Sequence, residues 1–127
     1  MLYVYLIIGG AAGTLARHTL GGWVQSWAGM GFPWGTMVVN ILGSFLLGLA
    51  VRWADLSGIS PEFRSLLTVG FCGAFTTFST LSYEFAALAQ AGVWGRALLY
   101  AIGSLALGIA ALALGMITGS FIFRVSG

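Results

Sequence analysis

The side chains best suited to binding a solute are concentrated in one short stretch, GFCGAFTTFST, at residues 70–80. Threonine and serine hydroxyls stand there among phenylalanine rings, and two glycines precede most of them. Both β-branched threonine and flexible glycine weaken a helix. The stretch therefore predicts a helix break whose freed carbonyls and hydroxyls must be satisfied by protein, water or an ion, because lipid cannot satisfy them.

A second set of polar side chains lies upstream in GTMVVNILGSFLLG, residues 35–48. Thr36, Asn40 and Ser44 follow one another at intervals of four, so they share one face of a helix. An asparagine facing lipid would leave its donors and acceptors unpaired at considerable cost. Two explanations for this asparagine remain open: hydrogen bonding between helices, or a polar path shared with residues 70–80.

A third and thinner set lies further along the chain, where Tyr100 and Ser104 are four residues apart and Gly108 continues the spacing. Together the three sets offer N–H and O–H donors and aromatic rings, with almost no formal charge. Neutral donors bind a small anion weakly enough to release it, whereas full cations would hold it. The edge of a phenyl ring is also the positive part of its quadrupole. The lining therefore favours a narrow path for a small anion.

Composition places these residues in a membrane. The chain has 127 residues, of which 59% are hydrophobic and 6% charged, whereas soluble domains are about a quarter charged. Five arginines against three acids are too sparse for a nucleic-acid surface. One Cys and one His exclude a disulfide framework within one chain and argue against a metal cluster of side chains. No Cys/His pair, carboxylate pair or phosphate loop is present, so the sequence does not predict an enzyme.

Charge-free runs long enough to cross a bilayer predict four transmembrane helices in a single domain, residues 1–127. The predicted spans are residues 2–26, 34–51, 63–91 and 95–123. The turn residues of WAGMGFPWG, residues 27–35, separate the first two spans, and residues 70–80 break the third. The prediction is an all-α membrane protein with both termini on one side.

The arginines are shared almost equally between the two predicted sides of the membrane. Arg52, Arg64 and Arg124 fall on the side of the termini, and Arg17 and Arg96 fall on the other. The excess of basic residues that normally fixes orientation is therefore nearly absent. Two oppositely inserted copies would form an antiparallel, dual-topology homodimer, with the inverted symmetry that larger transporters build into one chain.

Small residues four positions apart predict close contacts between helices. The pairs are Gly9 with Gly13, Ser104 with Gly108, and Gly115 with Gly119. Packing is the role that this spacing predicts for them, and no chemistry is assigned to the pairs.

The polar sets and the first span closely resemble the bacterial fluoride channels (Fluc, or CrcB-type). The segments that carry the resemblance are GGAAGTLAR (9–17), GTMVVNILGSFLLG (35–48) and GFCGAFTTFSTLSYE (70–84). With the length and the four spans, the resemblance covers nearly the whole chain. It implies an antiparallel homodimer in the lipid bilayer of the bacterial inner membrane, with two pores that export fluoride passively from the cytoplasm. It also implies a structural sodium ion at the centre of the dimer.

The resemblance further implies roles for individual residues. Backbone carbonyls of Gly73 and Thr76, from each copy, would hold the sodium ion. Side chains assigned to the fluoride path are Asn40, Thr77, Phe78, Ser79, Thr80, Tyr100 and Ser104. Arg17 matches the first-span arginine of the family, and two interpretations stay open for it. It either gathers anions in a basic vestibule or satisfies backbone carbonyls near the end of its span.

Leu81 departs from the pattern, because the family commonly carries a second pore phenylalanine at this position. Leucine has no quadrupole edge to offer an anion. Either the second ring is dispensable, or the rate of fluoride passage is altered, or a nearby ring such as Phe75 or Phe85 takes the place of the missing phenylalanine.

Two other functions are compatible with the size of the chain. A dual-topology small multidrug exporter of organic cations depends on a carboxylate in its first helix, but residues 1–16 contain none. The intramembrane carboxylate here, Glu84, follows the hydroxyl cluster and is expected to pair with an arginine or to lie near the aqueous end of its span. The other alternative is a non-conducting assembly subunit, whose polar faces only hold helices together.

Overall fold

The chain is helical along almost its whole length. A computed structural model describes residues 1–125. In chain order its elements are α1 (Leu2–Ala28), α2 (Trp34–Ser57), α3 (Pro61–Ser65), a π-helical segment (Leu66–Cys72), α4 (Gly73–Phe75), α5 (Phe78–Gln90) and α6 (Trp94–Val125). No β-strand occurs within residues 1–125, which confirms the predicted all-α class.

Three helical stretches are long and apolar enough to cross a membrane: Trp34–Ser57, Pro61–Gln90 and Trp94–Arg124. The middle stretch joins α3, the π-helical segment, α4 and α5. It contains the third of the four predicted spans and is called the third span below. Helix α1 has 27 residues but is not one of the three, because Arg17, His18 and several glycines lower its hydropathy. Three such stretches agree with a multi-pass membrane protein, and the count of four spans stays a prediction.

Glycines with left-handed backbone follow three helices. Helices α1 and α5 end within two residues of the predicted span ends, whereas α2 continues to Ser57, six residues beyond the predicted end at residue 51. Gly29 after α1, Gly58 after α2 and Gly92 between α5 and α6 have φ values of 86°, 68° and 81°. Glycine adopts this left-handed region without the steric cost that a side chain would add. Helix α3 begins at Pro61, and the side chain of Ser60 caps its first turn.

Glycines let the helices approach closely. A Cβ at Gly9 would overlap the carbonyl oxygen of Leu66, and one at Gly13 would overlap that of Phe71. Helix α1 therefore lies directly against the backbone of the π-helical segment, whose turns are rare and wider than α-helical turns. A Cβ at Gly115 of α6 would likewise overlap a carbonyl oxygen of α2. The packing predicted from the spacing of small residues is confirmed at these three glycines.

We expect Gly13→Ala to destabilise the folded protein by about 1–3 kcal/mol, the usual cost of overpacking. The added methyl group must displace the backbone of Phe71. The measurement is the fraction of protein that stays folded after heating in detergent, read by size-exclusion chromatography. Gly10→Ala on the same helix is the matched control, because nothing lies within 4 Å of a Cβ added there. Equal stability of the two variants would contradict the close contact.

Candidate functional site

The third span is interrupted at Thr76 and Thr77. Thr76 has φ −88° and ψ 159°, and Thr77 has φ −151° and ψ 117°, which are extended rather than helical values. Helix α4 ends at Phe75 and α5 begins at Phe78. The break predicted within residues 70–80 is therefore present.

The break removes the helical partners of two backbone carbonyls. In a continuous helix the N–H of Thr77 would bond the carbonyl of Gly73. In the same way, the N–H of Thr80 would bond the carbonyl of Thr76. Instead, the Thr77 N–H donates to Asn40 Oδ1 at 2.8 Å, and the Thr80 N–H donates to Thr77 Oγ1 at 3.2 Å. The carbonyls of Gly73 and Thr76 thus lose the hydrogen bonds that a helix would give them.

Asn40 of α2 ties the break to the neighbouring helix. Its Oδ1 accepts from the Thr77 N–H, and its Nδ2 donates to the Thr77 carbonyl oxygen at 3.2 Å. Of the two explanations for this asparagine, hydrogen bonding between helices is therefore present in the structure. The amide carries a second Nδ2 hydrogen, which bonds no other group within residues 1–125. One donor thus stays free for a further acceptor.

Arg17 of α1 reaches the same break. Its Nε donates to the carbonyl oxygen of Ala74 at 3.0 Å, which replaces the helical partner that the break removes. Of the two interpretations of this arginine, satisfying a backbone carbonyl is the one with a direct contact. The carbonyl belongs to the break rather than to the end of a span.

Gly43 lets α2 lie against the break. A Cβ added there would overlap Cγ2 of Thr76 and would lie 2.8 Å from Cδ2 of Phe75. The hydroxyl of Thr76 turns back onto its own helix and donates to the Cys72 carbonyl at 3.0 Å. Thr76 therefore offers a ligand its backbone carbonyl rather than its side chain.

An open groove of about 680 Å³ runs beside the break, between α2, the third span and α6. Its polar lining consists of one amide and six hydroxyl residues: Asn40, Ser44, Thr68, Thr76, Thr77, Ser82 and Ser104. The rings of Phe78 and Phe85 also line it, and no Asp, Glu, Lys or Arg of residues 1–125 does. The groove thus has no formally charged lining. Aliphatic side chains make up much of the rest of it, and the hydroxyls other than that of Ser104 already donate within the chain.

The structure gathers most of the predicted site residues on this groove. Those that line it are Asn40, Gly73, Thr76, Thr77, Phe78, Leu81 and Ser104. Those that do not line it are Arg17, Ser79, Thr80 and Tyr100. The hydroxyl of Thr80 accepts from Thr77 Oγ1 at 3.1 Å, and Thr77 caps the first turn of α5. These two threonines therefore stabilise the end of the break in addition to any contact with a ligand.

Ser104 is a buried hydroxyl residue of the groove. It is 5% exposed, and its Oγ has no hydrogen-bond partner within residues 1–125. Ser44, in contrast, donates to the carbonyl of Asn40 at 2.8 Å. A Cβ at Gly108, one turn after Ser104, would lie 3.6 Å from Ser44 Oγ, which is ordinary contact. Ser104 and Gly108 both line the groove. Gly108 also contacts α2 at ordinary van der Waals distance rather than by a close approach that would exclude a Cβ.

Tyr100 is completely buried outside the groove. Its hydroxyl donates to Glu84 Oε1 at 3.0 Å, and its ring meets the ring of Phe32 edge-on at 5.5 Å between centroids. Glu84 thus has a tyrosine as its partner. Of the two expectations for Glu84, pairing with an arginine is wrong, and a place near the aqueous end of the span stays a prediction. The ion pair found within residues 1–125 joins Arg64 to Asp55 at 2.6 Å.

One of the two rings considered as replacements for the missing phenylalanine reaches the groove. Phe75 is 3% exposed and stacks on Phe71 at 5.6 Å between centroids, so it points into the helix packing. Phe85 lines the groove, as does Leu81 itself. Phe75 is therefore excluded as a compensating ring, and Phe85 is the available one.

Sequence reasoning did not identify Thr68 as a lining residue. Thr68, Cys72 and Thr76 follow one another at intervals of four and line the same groove. The spacing of four residues could have identified Thr68, because it continues from the hydroxyl cluster toward the start of the third span.

Comparison with known proteins gives this site a family. The model of one family, described as CrcB-like protein, Camphor Resistance (CrcB), matches residues 4–116. The chain belongs to the CrcB family. Proteins named Fluoride-specific ion channel FluC are similar to it over most of their length. The one from Thermus thermophilus is 55% identical over 107 residues, 84% of each chain.

Two further relatives of this CrcB chain have lower sequence identity and carry the same name. The FluC protein of Acidobacterium capsulatum is 47% identical over 121 residues, which are 94% of this chain and 97% of the relative. That of Magnetococcus marinus is 43% identical over 123 residues, 96% of this chain and 100% of the relative. The names are those of ion channels, which points to a non-enzyme, and with the apolar helices they support a multi-pass membrane protein.

Proposed function

We propose that this CrcB chain is a fluoride-selective channel that exports fluoride passively from the bacterial cytoplasm. The observation that carries the proposal is the groove beside the helix break, which has no charged side chain and holds two unpartnered donors, the Ser104 hydroxyl and one N–H of Asn40, with the ring of Phe78. Fluoride is the ion in the names of the relatives. The chemistry of the groove independently suits a small anion.

The path for fluoride uses donors that can replace part of its hydration and then release it. The Ser104 hydroxyl, buried without a partner, and the free N–H of Asn40 are donors of this kind. A fixed cation in the same place would bind the ion too strongly for rapid passage. Phe78 is 81% exposed on the groove and can turn its positive edge toward the ion.

Three predicted path residues lie outside the groove of a single copy, and we place them at its margins. Ser79 and Thr80 belong to the first turn of α5, directly after Phe78. Tyr100 lies one helical turn before Ser104 on α6. The hydroxyls of Ser79 and Thr80 are proposed to extend the path rather than to form its narrowest part. The Tyr100 hydroxyl is completely buried and donates to Glu84, so it is not proposed to contact fluoride in this arrangement.

A second copy in the opposite orientation is proposed to cover the groove. In lipid, the freed carbonyls of Gly73 and Thr76 and the buried Ser104 hydroxyl would otherwise lack partners, and each such group costs several kcal/mol. Phe78 stands among these groups with 81% of its surface exposed. The near balance of arginines between the two sides supports insertion in both orientations. The proposed assembly is an antiparallel, dual-topology homodimer in the inner membrane.

A sodium ion is proposed to sit at the centre of this dimer, held by the Gly73 and Thr76 carbonyls of both copies. The residues fit this role, because both line the groove and both carbonyls lose their helical hydrogen bonds at the break. Oxygen atoms are the ligands that hard cations prefer. No group of three or more His, Cys, Asp or Glu within residues 1–125 offers another metal site. The positive charge of the bound ion would attract the carbonyl oxygens of both copies and so hold the two copies together.

We expect removal of sodium to destabilise the dimer. If sodium is present at a hundred times its Kd, removing it lowers the free energy of unfolding of the dimer by about 2.7 kcal/mol. The measurement is the heat stability of the purified dimer after sodium is replaced by N-methyl-D-glucamine. The control replaces chloride by gluconate at constant sodium. Equal stability in both cations would contradict the sodium site, without bearing on fluoride transport.

The two alternatives fit the structure less well. An organic-cation exporter needs a membrane carboxylate in its first helix, but α1 has no Asp or Glu. Its cation would also meet a groove without acidic lining. A non-conducting assembly subunit would tolerate loss of the Asn40 amide and would show no flux as a pure protein.

Fluoride content of living cells tests the proposed function. At acidic external pH, HF enters bacteria and dissociates inside them. In a strain without its own exporter, cells that express the chain should hold less fluoride than cells with an empty vector. Equal fluoride content, with the protein found in the inner-membrane fraction, would contradict the proposal.

We expect Phe78→Leu to lower fluoride flux by about two- to tenfold, because an aromatic edge contributes about 0.5–1.5 kcal/mol beyond its area. The measurement is fluoride efflux from liposomes that contain the purified variant. Phe121→Leu is the matched control, since Phe121 is 72% exposed on α6 and does not line the groove. Equal flux in the two variants would remove the Phe78 ring from the path.

A further inference from the structure

A second crevice, of about 250 Å³, lies between α2, the π-helical segment and the end of α6. Its main lining residues are Leu46, Leu49, Trp53, Leu67, Phe71 and Phe123. It shares only Cys72 with the groove, and no charged or hydroxyl side chain of residues 1–125 lines it. The crevice is therefore separate from the proposed fluoride path.

Aromatic rings mark one end of this crevice. The centroid of the Trp53 ring lies 5.9 Å from that of Phe63 and 6.1 Å from that of Phe123. Tryptophan near the end of a span is typical of the membrane interface. From Trp53 the lining continues along α2 to Leu46, about two turns deeper into the apolar part of the helix. The crevice thus runs from the interface into one leaflet, as an acyl chain does.

Two arginines stand at the interfacial end of the crevice. Arg52 precedes Trp53 on α2, and Arg124 follows Phe123 on α6. Arg52 packs across the helix contact, since a Cβ at Gly119 of α6 would lie 2.8 Å from its Cβ. Its Nε is buried without a hydrogen-bond partner within residues 1–125. Arg52 also forms no ion pair within residues 1–125.

The acidic residues at this end do not neutralise the two arginines. Asp55 is paired with Arg64 at 2.6 Å. Glu62 lies in the first turn of α3 and forms no ion pair with Arg52 or Arg124. Two arginines without an ion pair within residues 1–125 are therefore the chain neighbours of Trp53 and Phe123, which line the crevice. A phosphate ester that carries an acyl chain matches both features, and basic pockets between membrane helices commonly bind anionic headgroups.

We propose that this crevice binds one anionic phospholipid in each copy of the chain. The acyl chain lies against Trp53, Phe71 and Phe123, and the phosphate accepts hydrogen bonds from Arg52 and Arg124. A zwitterionic lipid fills the same crevice but lacks part of the charge attraction. The site does not depend on the proposed fluoride function.

Quenching of Trp53 fluorescence by brominated acyl chains tests the site in the purified protein. Phosphatidylglycerol and phosphatidylcholine with identical brominated chains are titrated into detergent-solubilised dimers. The same titration of the Trp53→Phe variant measures the quenching of the other tryptophans, which is then subtracted. We expect half-quenching at a roughly fivefold lower concentration of phosphatidylglycerol, the effect of one basic side chain near an anionic lipid. Equal affinity for the two lipids would overturn the proposal, and this comparison needs no crevice variant.

Arg52→Gln tests the headgroup contact. It should reduce the preference for phosphatidylglycerol toward unity, whereas Arg96→Gln should leave the preference unchanged. Arg96 lies at the opposite end of α6 and contacts the carbonyl of Gly31. An unchanged preference in correctly folded Arg52→Gln would overturn the assignment. Displacement of the brominated lipid by equimolar glycerol phosphate would also overturn it, because the ligand would then be a free phosphate.

Ala50→Phe tests the place of the acyl chain. Ala50 lines the crevice, so a ring there should fill it and abolish the quenching of Trp53 by both lipids. Ala11→Phe, at an exposed position of α1, is the matched control and should leave quenching unchanged. Undiminished quenching in Ala50→Phe would show that the chain binds elsewhere and would overturn the proposal.

Discussion

Asn40→Asp should lower the rate of fluoride efflux by roughly 100- to 1,000-fold. Near a protein surface, the repulsion between a carboxylate and an anion about 4 Å away raises the energy of the anion by about 4 kcal/mol. The substitution also removes the Nδ2 donor that bonds the Thr77 carbonyl at 3.2 Å. The acceptor for the Thr77 N–H is kept, so the break retains part of its support. The measurement is efflux from liposomes that contain only the purified variant, read with a fluoride electrode.

Asn40→Ala separates the effect of charge from the effect of the lost hydrogen bonds. It removes both bonds to Thr77 but adds no repulsion, so we expect a smaller loss of flux than in the aspartate variant. Each variant is first shown to be a folded dimer by size-exclusion chromatography. Wild-type flux in Asn40→Asp would take this amide out of the fluoride path.

Insertion of one alanine between Thr76 and Thr77 should reduce fluoride efflux to background. An extra residue turns the two halves of the span by about 100° and shifts them by about 1.5 Å if it is taken up helically. The Asn40 amide could then no longer bridge Thr77, and the Gly73 and Thr76 carbonyls would change their relative positions. The same liposome assay measures the effect.

Thr76→Ser should retain most of the flux, in contrast to the insertion. The Thr76 hydroxyl bonds only the Cys72 carbonyl within residues 1–125, at 3.0 Å, and serine can make the same bond. An alanine inserted after Gly92, in the turn between α5 and α6, lengthens the chain equally without touching the break. Normal flux in the Thr76 insertion, or equal losses in both insertions, would contradict the role given to the break.

The helices and the break could be predicted because local chemistry determines them. Long charge-free runs must be helical in lipid, where every backbone group needs a partner within the segment. Glycine and threonine in residues 70–80 weaken the helix where the structure interrupts it at Thr76. The all-α class and the division at residues 27–35 follow from the same local signals.

The partners of individual side chains could not be predicted, because spacing gives a shared face but not the rotation of that face. Asn40 was identified as important, but its bonds to Thr77 depend on how α2 and the break approach each other at Gly43. Phe75 and Phe78 belong to one motif, yet only Phe78 reaches the groove. Glu84 was expected to pair with an arginine or to lie near the aqueous end of its span, whereas the fold brings its carboxylate to the Tyr100 hydroxyl.

Ion efflux from liposomes that contain only the purified wild-type protein is the most direct measurement of fluoride conduction. Vesicles loaded with fluoride and chloride are followed with electrodes selective for each ion. Fast loss of fluoride with chloride retained is the expected result, because the proposed path binds a small anion through neutral donors and ring edges. Retention of both ions by correctly folded dimers, or their release at equal rates, would contradict a fluoride-selective channel.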